Sequence, residues 1–196
     1  MYDDRVVHTQ LVSGVVLVGG ASRRFGSPKT DLFIAGEHLL ERTLRLLEEV
    51  LELSPIQVGS PTHPDRRPGQ GPLAGIESAL ELVTTPTAIV VACDMPGLSK
   101  ELLTLLASAP DREDVLVPLS HGQTHPLCAR WHRRCLPVIQ ESLDNDVRSV
   151  HRVLDRLNTR YLPEAELLAA GVEPQQALWN INRRDDLEAF LEAHRS

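Results

Sequence analysis

Ser13-Gly14-Val15-Val16-Leu17-Val18-Gly19-Gly20-Ala21-Ser22-Arg23-Arg24-Phe25-Gly26-Ser27-Pro28-Lys29 joins an apolar run to a loop rich in glycine and positive charge. The run over residues 13–18 is too apolar to leave either face in water, which is how a buried parallel strand reads. The loop that follows carries what a polyphosphate needs. Gly19 and Gly20 allow close backbone approach, while Ser22, Arg23, Arg24 and Lys29 supply hydroxyl, guanidinium and ammonium donors. Its spacing is neither the Walker G-x-x-x-x-G-K-S/T nor G-x-G-x-x-G. Taken alone, a merely solvated loop is an equal reading.

Outward from this stretch, apolar runs alternate with helical periods. Residues 39–51 place Leu40, Thr43, Leu44, Leu47 and Leu51 at helical spacing among Glu and Arg, which predicts an amphipathic helix. Strands are then predicted over 55–58 and 87–93, and helices over 72–83, with Pro at its start, and 99–107, capped by Ser99. Strict alternation of this kind points to a single-domain α/β fold with a doubly wound, mostly parallel sheet. After a strand over 115–118, the turn His121-Gly122 before residues 126–131 predicts a local antiparallel excursion. Asp146 is expected to cap a helix over 147–157, and Asn182 another running to about Ala193.

A chain of 196 residues suits one full domain, taken as residues 11–196 behind a polar, flexible tail over 1–10. Twenty basic residues against twenty-seven acidic ones leave a net charge of −7, which argues against a nucleic-acid or membrane coat and makes any anion site local. The three cysteines, Cys93, Cys128 and Cys135, have no metal-ligand spacing, and no signal-like or membrane-length apolar segment is seen. A reduced, cytoplasmic protein is the expectation.

Ligands of an open parallel sheet bind beyond the carboxyl ends of its strands. Asp94 is the first charge after the run Ile89-Val90-Val91-Ala92-Cys93, and Pro96 stops the strand from continuing. A carboxylate so placed can hold Mg²⁺ beside nucleotide phosphates, although in isolation it can also simply end a strand. Gly69-Gln70-Gly71-Pro72-Leu73-Ala74-Gly75 is a glycine turn into a helix whose free N–H groups can meet an anion, or just a tight turn. Around His121 and His125, Gly122 and Pro126 disfavour a helix and with it a zinc site. Cys93 and Cys128 sit in apolar strands, where a thiol is normally inert.

In order and spacing these segments resemble the molybdenum cofactor guanylyltransferases of the nucleotidyltransferase superfamily. Leu17-Val18-Gly19-Gly20-x-Ser22-x-Arg24-Phe25-Gly26-x-x-Lys29 is similar to the family's LAGGxSxRMGxxK, and Gly71-Pro72-Leu73-Ala74-Gly75 to its GPLAG. Cys93-Asp94-Met95-Pro96, His125-Pro126-Leu127, Arg148-Ser149-Val150 and Asn180-Ile181-Asn182 follow, so the likeness spans about residues 13–190. Val18, Phe25 and Pro28 depart from the family's Ala, Met and frequent Asp.

The resemblance implies a Rossmann-like three-layer nucleotidyltransferase fold and transfer of GMP from GTP to molybdopterin bearing molybdenum, with release of pyrophosphate. It implies that Leu17, Val18, Gly19 and Gly20 meet the guanine, Lys29 the phosphates, Asp65 the nucleoside side, and Asp94 the Mg²⁺. Arg24 is added on chemistry, because a planar fork suits phosphate oxygens. His125, Arg148, Asn180 and Asn182 are expected at the pterin, and proteins that deliver the pterin or mature molybdoenzymes are expected partners. A cytidylyl or sugar-phosphate nucleotidyltransferase, and a binding module without turnover, are the alternatives.

Overall fold

The computed structural model describes residues 11–18, 32–34 and 36–193. The tail over residues 1–10, and Gly19, Gly20, Arg24 and Lys29, lie outside the described residues.

In chain order the elements are β1 (Val12–Leu17), β2 (Phe33–Ile34), β3 (Glu37–His38), α1 (Leu39–Leu51), β4 (Ile56–Val58), α2 (Pro72–Leu82), β5 (Thr87–Ala92) and α3 (Lys100–Ser108). They continue with β6 (Val115–Ser120), β7 (Gln123–Thr124), β8 (Cys128–His132), α4 (Leu136–Asp144), α5 (Val150–Leu154), β9 (Thr159–Leu162), α6 (Glu164–Ala169), α7 (Pro174–Ala177) and α8 (Arg184–Ala193). Among the described residues the main sheet runs β4-β1-β5-β8-β6-β7, with β9 also paired to β6. β4, β1 and β5 are mutually parallel, β8 is antiparallel to β5 and to β6, and β9 is parallel to β6. The mostly parallel sheet and its antiparallel excursion are therefore both present. His121 and Gly122 turn the chain from β6 into β7 with φ of 51° and 70°, as a tight hairpin turn requires.

Because side chains alternate across a strand, each buried strand feeds two cores. Val15, Leu17, Val90, Val117 and Ala129 face α2 and α4, meeting Leu73, Ile76, Leu80 and Ile139. Val16, Ile89, Val91 and Leu116 face α1 and α3, meeting Leu47, Leu102, Leu103 and Leu106. Each such side chain taken fully out of water stabilises the fold by about 2 kcal/mol. Gly14 sets the approach of α1: a Cβ there would stand 3.1 Å from Leu51 Cδ1 and 3.2 Å from Leu47 Cβ. A third, smaller core joins Leu32, Ile34 and Leu39 to Ile181 and Phe190 near the C-terminus.

Two predicted helix starts are corrected. Asp146 does not cap a helix over 147–157; it closes α4. Its φ is +59°, its N–H donates to the Leu143 carbonyl at 3.0 Å, and Val147 N–H donates to Ser142 at 2.8 Å. That left-handed ending is the Schellman pattern, and α5 starts afresh with Ser149 as its cap. Likewise α8 begins at Arg184 rather than directly after Asn182. The Asp186 carboxylate accepts the N–H groups of Asn182 and Arg183 at 2.7 and 2.8 Å, which is the acidic half of a capping box. Ser99 caps α3 as expected, accepting from Leu102 N–H at 3.3 Å. Among the described residues no helix is long and apolar enough to cross a membrane.

Candidate active site

The parallel register that pairs Leu17 with Ala92 brings the point where the chain leaves β1 alongside Asp94, two residues past the end of β5. Leu17 itself is built into the fold. Its side chain packs beneath α2, where a Cβ on Gly75 would lie 3.3 Å from both of its methyl carbons, and its carbonyl accepts from Cys93 N–H at 3.2 Å. Val18 N–H donates to the Val58 carbonyl at 2.9 Å. These residues end the strand, and the Leu17 side chain lies in the core beneath α2.

Asp94 sits on a turn held from beneath. Met95 and Leu98 are buried on either side of Gly97, and Leu98 N–H donates to the Met95 carbonyl at 3.3 Å. Gly97 is required, because a Cβ there would stand 1.8 Å from the Gln176 carbonyl oxygen of α7. From the other side, Ile181 N–H donates to the Asp94 carbonyl at 2.9 Å. Ile181, between Asn180 and Asn182, is buried in the small third core.

Both asparagines line a cleft of about 410 Å³ that also holds Asp94, His125 and Arg148. Five candidates drawn from positions 94 to 182 thus meet at one place. His125 is fixed by its main chain, donating to the Pro118 carbonyl and accepting from Cys128 N–H, both at 3.0 Å. Burial lowers the His125 imidazole below its ordinary value, so the ring is neutral at pH 7. Arg148 is exposed, its fork resting on Asp146 at 2.7 and 2.9 Å. The cleft therefore presents the Asp94 carboxylate, the Arg148 cation, the His125 ring and two amides.

Pro72 of the Gly71–Gly75 motif lines the same cleft, as do Thr124 and His151, which had not been singled out in the sequence. Pro72 brings the start of α2 to the cleft wall, where the Ala74 N–H donates back to the Gly71 carbonyl at 3.2 Å. Thr124 Oγ1 and His151 Nε2 are 2.8 Å apart, tying β7 to α5. His151 had one sequence signal, its place next to Arg148-Ser149-Val150; Thr124 had only its neighbour His125.

Asp65 does not line this cleft. It stands in the loop between β4 and α2, half-buried, with desolvation holding its carboxyl above the usual range. Among the described residues no group of three His, Cys, Asp or Glu can hold a metal on its own. Burial pushes the Cys128 and Cys135 thiols up to about 12. For Mg²⁺, the donor chemistry at Asp94 fits: this ion usually keeps most of its ligands from water and substrate phosphates and takes one or two carboxylates.

Residues 14–160 match the family model described as the MobA-like NTP transferase domain. A protein of Bacillus licheniformis named "Probable molybdenum cofactor guanylyltransferase" is 34% identical, over 89% of this chain and 93% of its own length. One of the same name from Chloroflexus aggregans is 35% identical over 91% and 92%. Among solved structures, the molybdopterin-guanine dinucleotide biosynthesis protein A of Archaeoglobus fulgidus superposes with a TM-score of 0.77 at 28% identity, covering 93% of this chain and 98% of that one. The 2-C-methyl-D-erythritol 4-phosphate cytidylyltransferase of Thermus thermophilus, at 17% identity and a TM-score of 0.64 over 94% and 99%, shares the fold alone. With the sheet, the cleft and the family match in agreement, the chain belongs to the MobA-like NTP transferases and is a nucleotidyltransferase.

Proposed function

We propose that this nucleotidyltransferase moves GMP from GTP to molybdopterin bearing molybdenum, forming the guanine dinucleotide cofactor and pyrophosphate. The observation that carries the reading is the cleft in which Asp94 meets His125, Arg148, Asn180 and Asn182. The relatives named as molybdenum cofactor guanylyltransferases support the same acceptor and donor.

In this reaction a terminal phosphate oxygen of the pterin attacks the α-phosphorus of GTP, and the bond from that phosphorus to the β-phosphate oxygen breaks, its electron pair leaving with pyrophosphate. The second pKa of such a phosphate is about 6, so it is already largely ionised at pH 7 and needs no strong base. The obstacle is charge: two anions must meet and a third must leave. Mg²⁺, when bound at Asp94, supplies charge neutralisation at the phosphates. Lys29 and Arg24 are assigned to the phosphate oxygens, and Leu17, Val18, Gly19 and Gly20 to the base, through the main chain where Leu17 is concerned. Asp65 is assigned to the nucleoside, on the β4 side of β1. Arg148 orients the anionic acceptor, while neutral His125 and the amides of Asn180 and Asn182 offer hydrogen bonds suited to a pterin edge. The setting is cytoplasmic, with delivery and maturation proteins as partners.

Since cytidylyltransferases share this fold, nucleotide selectivity is the direct test. Calorimetric titration with GTP, CTP and UTP in Mg²⁺ is expected to show GTP preferred; preference for CTP or UTP would sink the guanine assignment.

A further inference from the structure

The loop over residues 59–71, which carries Asp65, is fastened along α2. Arg66 N–H donates to Ser78 Oγ at 3.0 Å, Ser78 Oγ donates to the Ala74 carbonyl at 3.0 Å, and the Arg66 guanidinium pairs with Glu81. Arg67 reaches in two directions. Its Nε lies 3.1 Å from Glu77 Oε2 on α2, and its terminal nitrogen donates to Asp144 Oδ1 at the end of α4 at 2.6 Å.

Glu77 is fully buried, and neither of its oxygens has an aligned hydrogen-bond partner. An apolar side chain on this face of α2 would avoid the desolvation that a carboxylate suffers there. What Glu77 does supply is an anchor for residue 67, two positions beyond Asp65. Asp65 has no hydrogen bond or ion pair among the described residues, so its place is set by the loop on either side. Before it, Gly59 N–H donates to the His63 carbonyl at 2.8 Å and His63 N–H to Ser60 Oγ at 3.2 Å. After it, the fastening is that of Arg66 and Arg67.

We propose that Arg67 is a positioning residue for nucleotide binding, a role that rests on the nucleotide reading given above. Its link from Glu77 on α2 to Asp144 on α4 holds the loop that presents Asp65. Arginine is needed because one planar fork can serve two carboxylates, whereas a lysine offers a single ammonium.

Arg67→Ala alone would strand the Glu77 charge and endanger the fold, so the test uses the neutral pair Arg67→Gln with Glu77→Gln. Titration with GTP in Mg²⁺ is expected to show about tenfold weaker binding, the scale on which loss of a supporting residue acts. Amide hydrogen exchange over residues 60–70 is expected to quicken while β1 and β5 stay protected. In an Asp65→Asn background the same pair is expected to change affinity less than about twofold, since contacts acting through one group are not additive. Unchanged affinity or unchanged exchange in the pair variant overturns the proposal, as does a full tenfold loss that persists without Asp65. If the unaltered chain binds neither GTP nor CTP, it is the nucleotide reading that fails, and hydrogen exchange still decides whether Arg67 fastens the loop.

Discussion

The Ile181 main-chain N–H donates to the Asp94 main-chain carbonyl at 2.9 Å, so the metal-binding candidate and the two cleft asparagines share one strut. Ile181 is fully buried. Ile181→Ala is expected to cost about 2–4 kcal/mol of stability, the usual range for emptying such a site. Because the strut carries Asn180 and Asn182, it should weaken pterin affinity more than GTP affinity. Denaturant unfolding together with separate titrations of the two ligands checks both parts.

Gly97→Ala should be more damaging than its size suggests. The added carbon would overlap the Gln176 carbonyl, and backbone on both sides would have to move. We expect a loss of about 3 kcal/mol or more, as for overpacking against backbone, with transferase activity falling alongside. A thermal melt and a pyrophosphate-release assay on the same sample would report it.

Arg130 is buried within β8, and its guanidinium donates to the carbonyls of Leu106, Ala109 and Pro110. It thereby serves one carbonyl in the last turn of α3 and those of the two residues that follow the helix. Arg130→Met keeps the stem and removes the donors. A loss of about 2–4 kcal/mol is expected from three stranded carbonyls, measured by urea denaturation.

His125 is held below its ordinary value of 6.5 by burial, in a cleft that also contains Asp94, Arg148 and His151. Its folded pKa is thus lower than its unfolded one. The stability it contributes is complete above about pH 6.5 and is lost as pH falls through the folded value. Stability should therefore drop between pH 7.5 and 5, and His125→Gln should reduce that drop. His132, also lowered by burial, sustains the remainder. An equal drop in both proteins would refute the assignment.

What was legible in the sequence is what local pattern encodes. β1 and β5 read clearly because both faces of each are buried, and α1 because its apolar stripe has the helical period. α2 is buried on every side from Leu73 to Ser78 and beyond because the loop before it covers its polar face; Pro72 and the glycines betrayed it where a stripe could not. The helix at Leu136–Asp144 was not anticipated, and Asp146 was taken for a cap: an acid favoured at helix starts also tolerates the left-handed turn that ends one. β9 was hidden because two of its four residues are only half-buried and a third is exposed. Of the site, Asp94, His125, Arg148, Asn180 and Asn182 could be named from sequence, but their meeting depends on β8 inserting antiparallel between β5 and β6. The Arg67–Glu77 pair gave no signal, since burial of Glu77 is a property of the packed loop.

The central claim is that this cleft transfers a nucleotide with Asp94 at the phosphates. The most direct measurement is pyrophosphate release from GTP and molybdopterin in Mg²⁺, comparing the unaltered chain with Asp94→Asn. Release by the unaltered chain, cut about 10²–10³-fold in the variant while its GTP-free melting temperature is unchanged, is the expected result. Undiminished release by Asp94→Asn would contradict it.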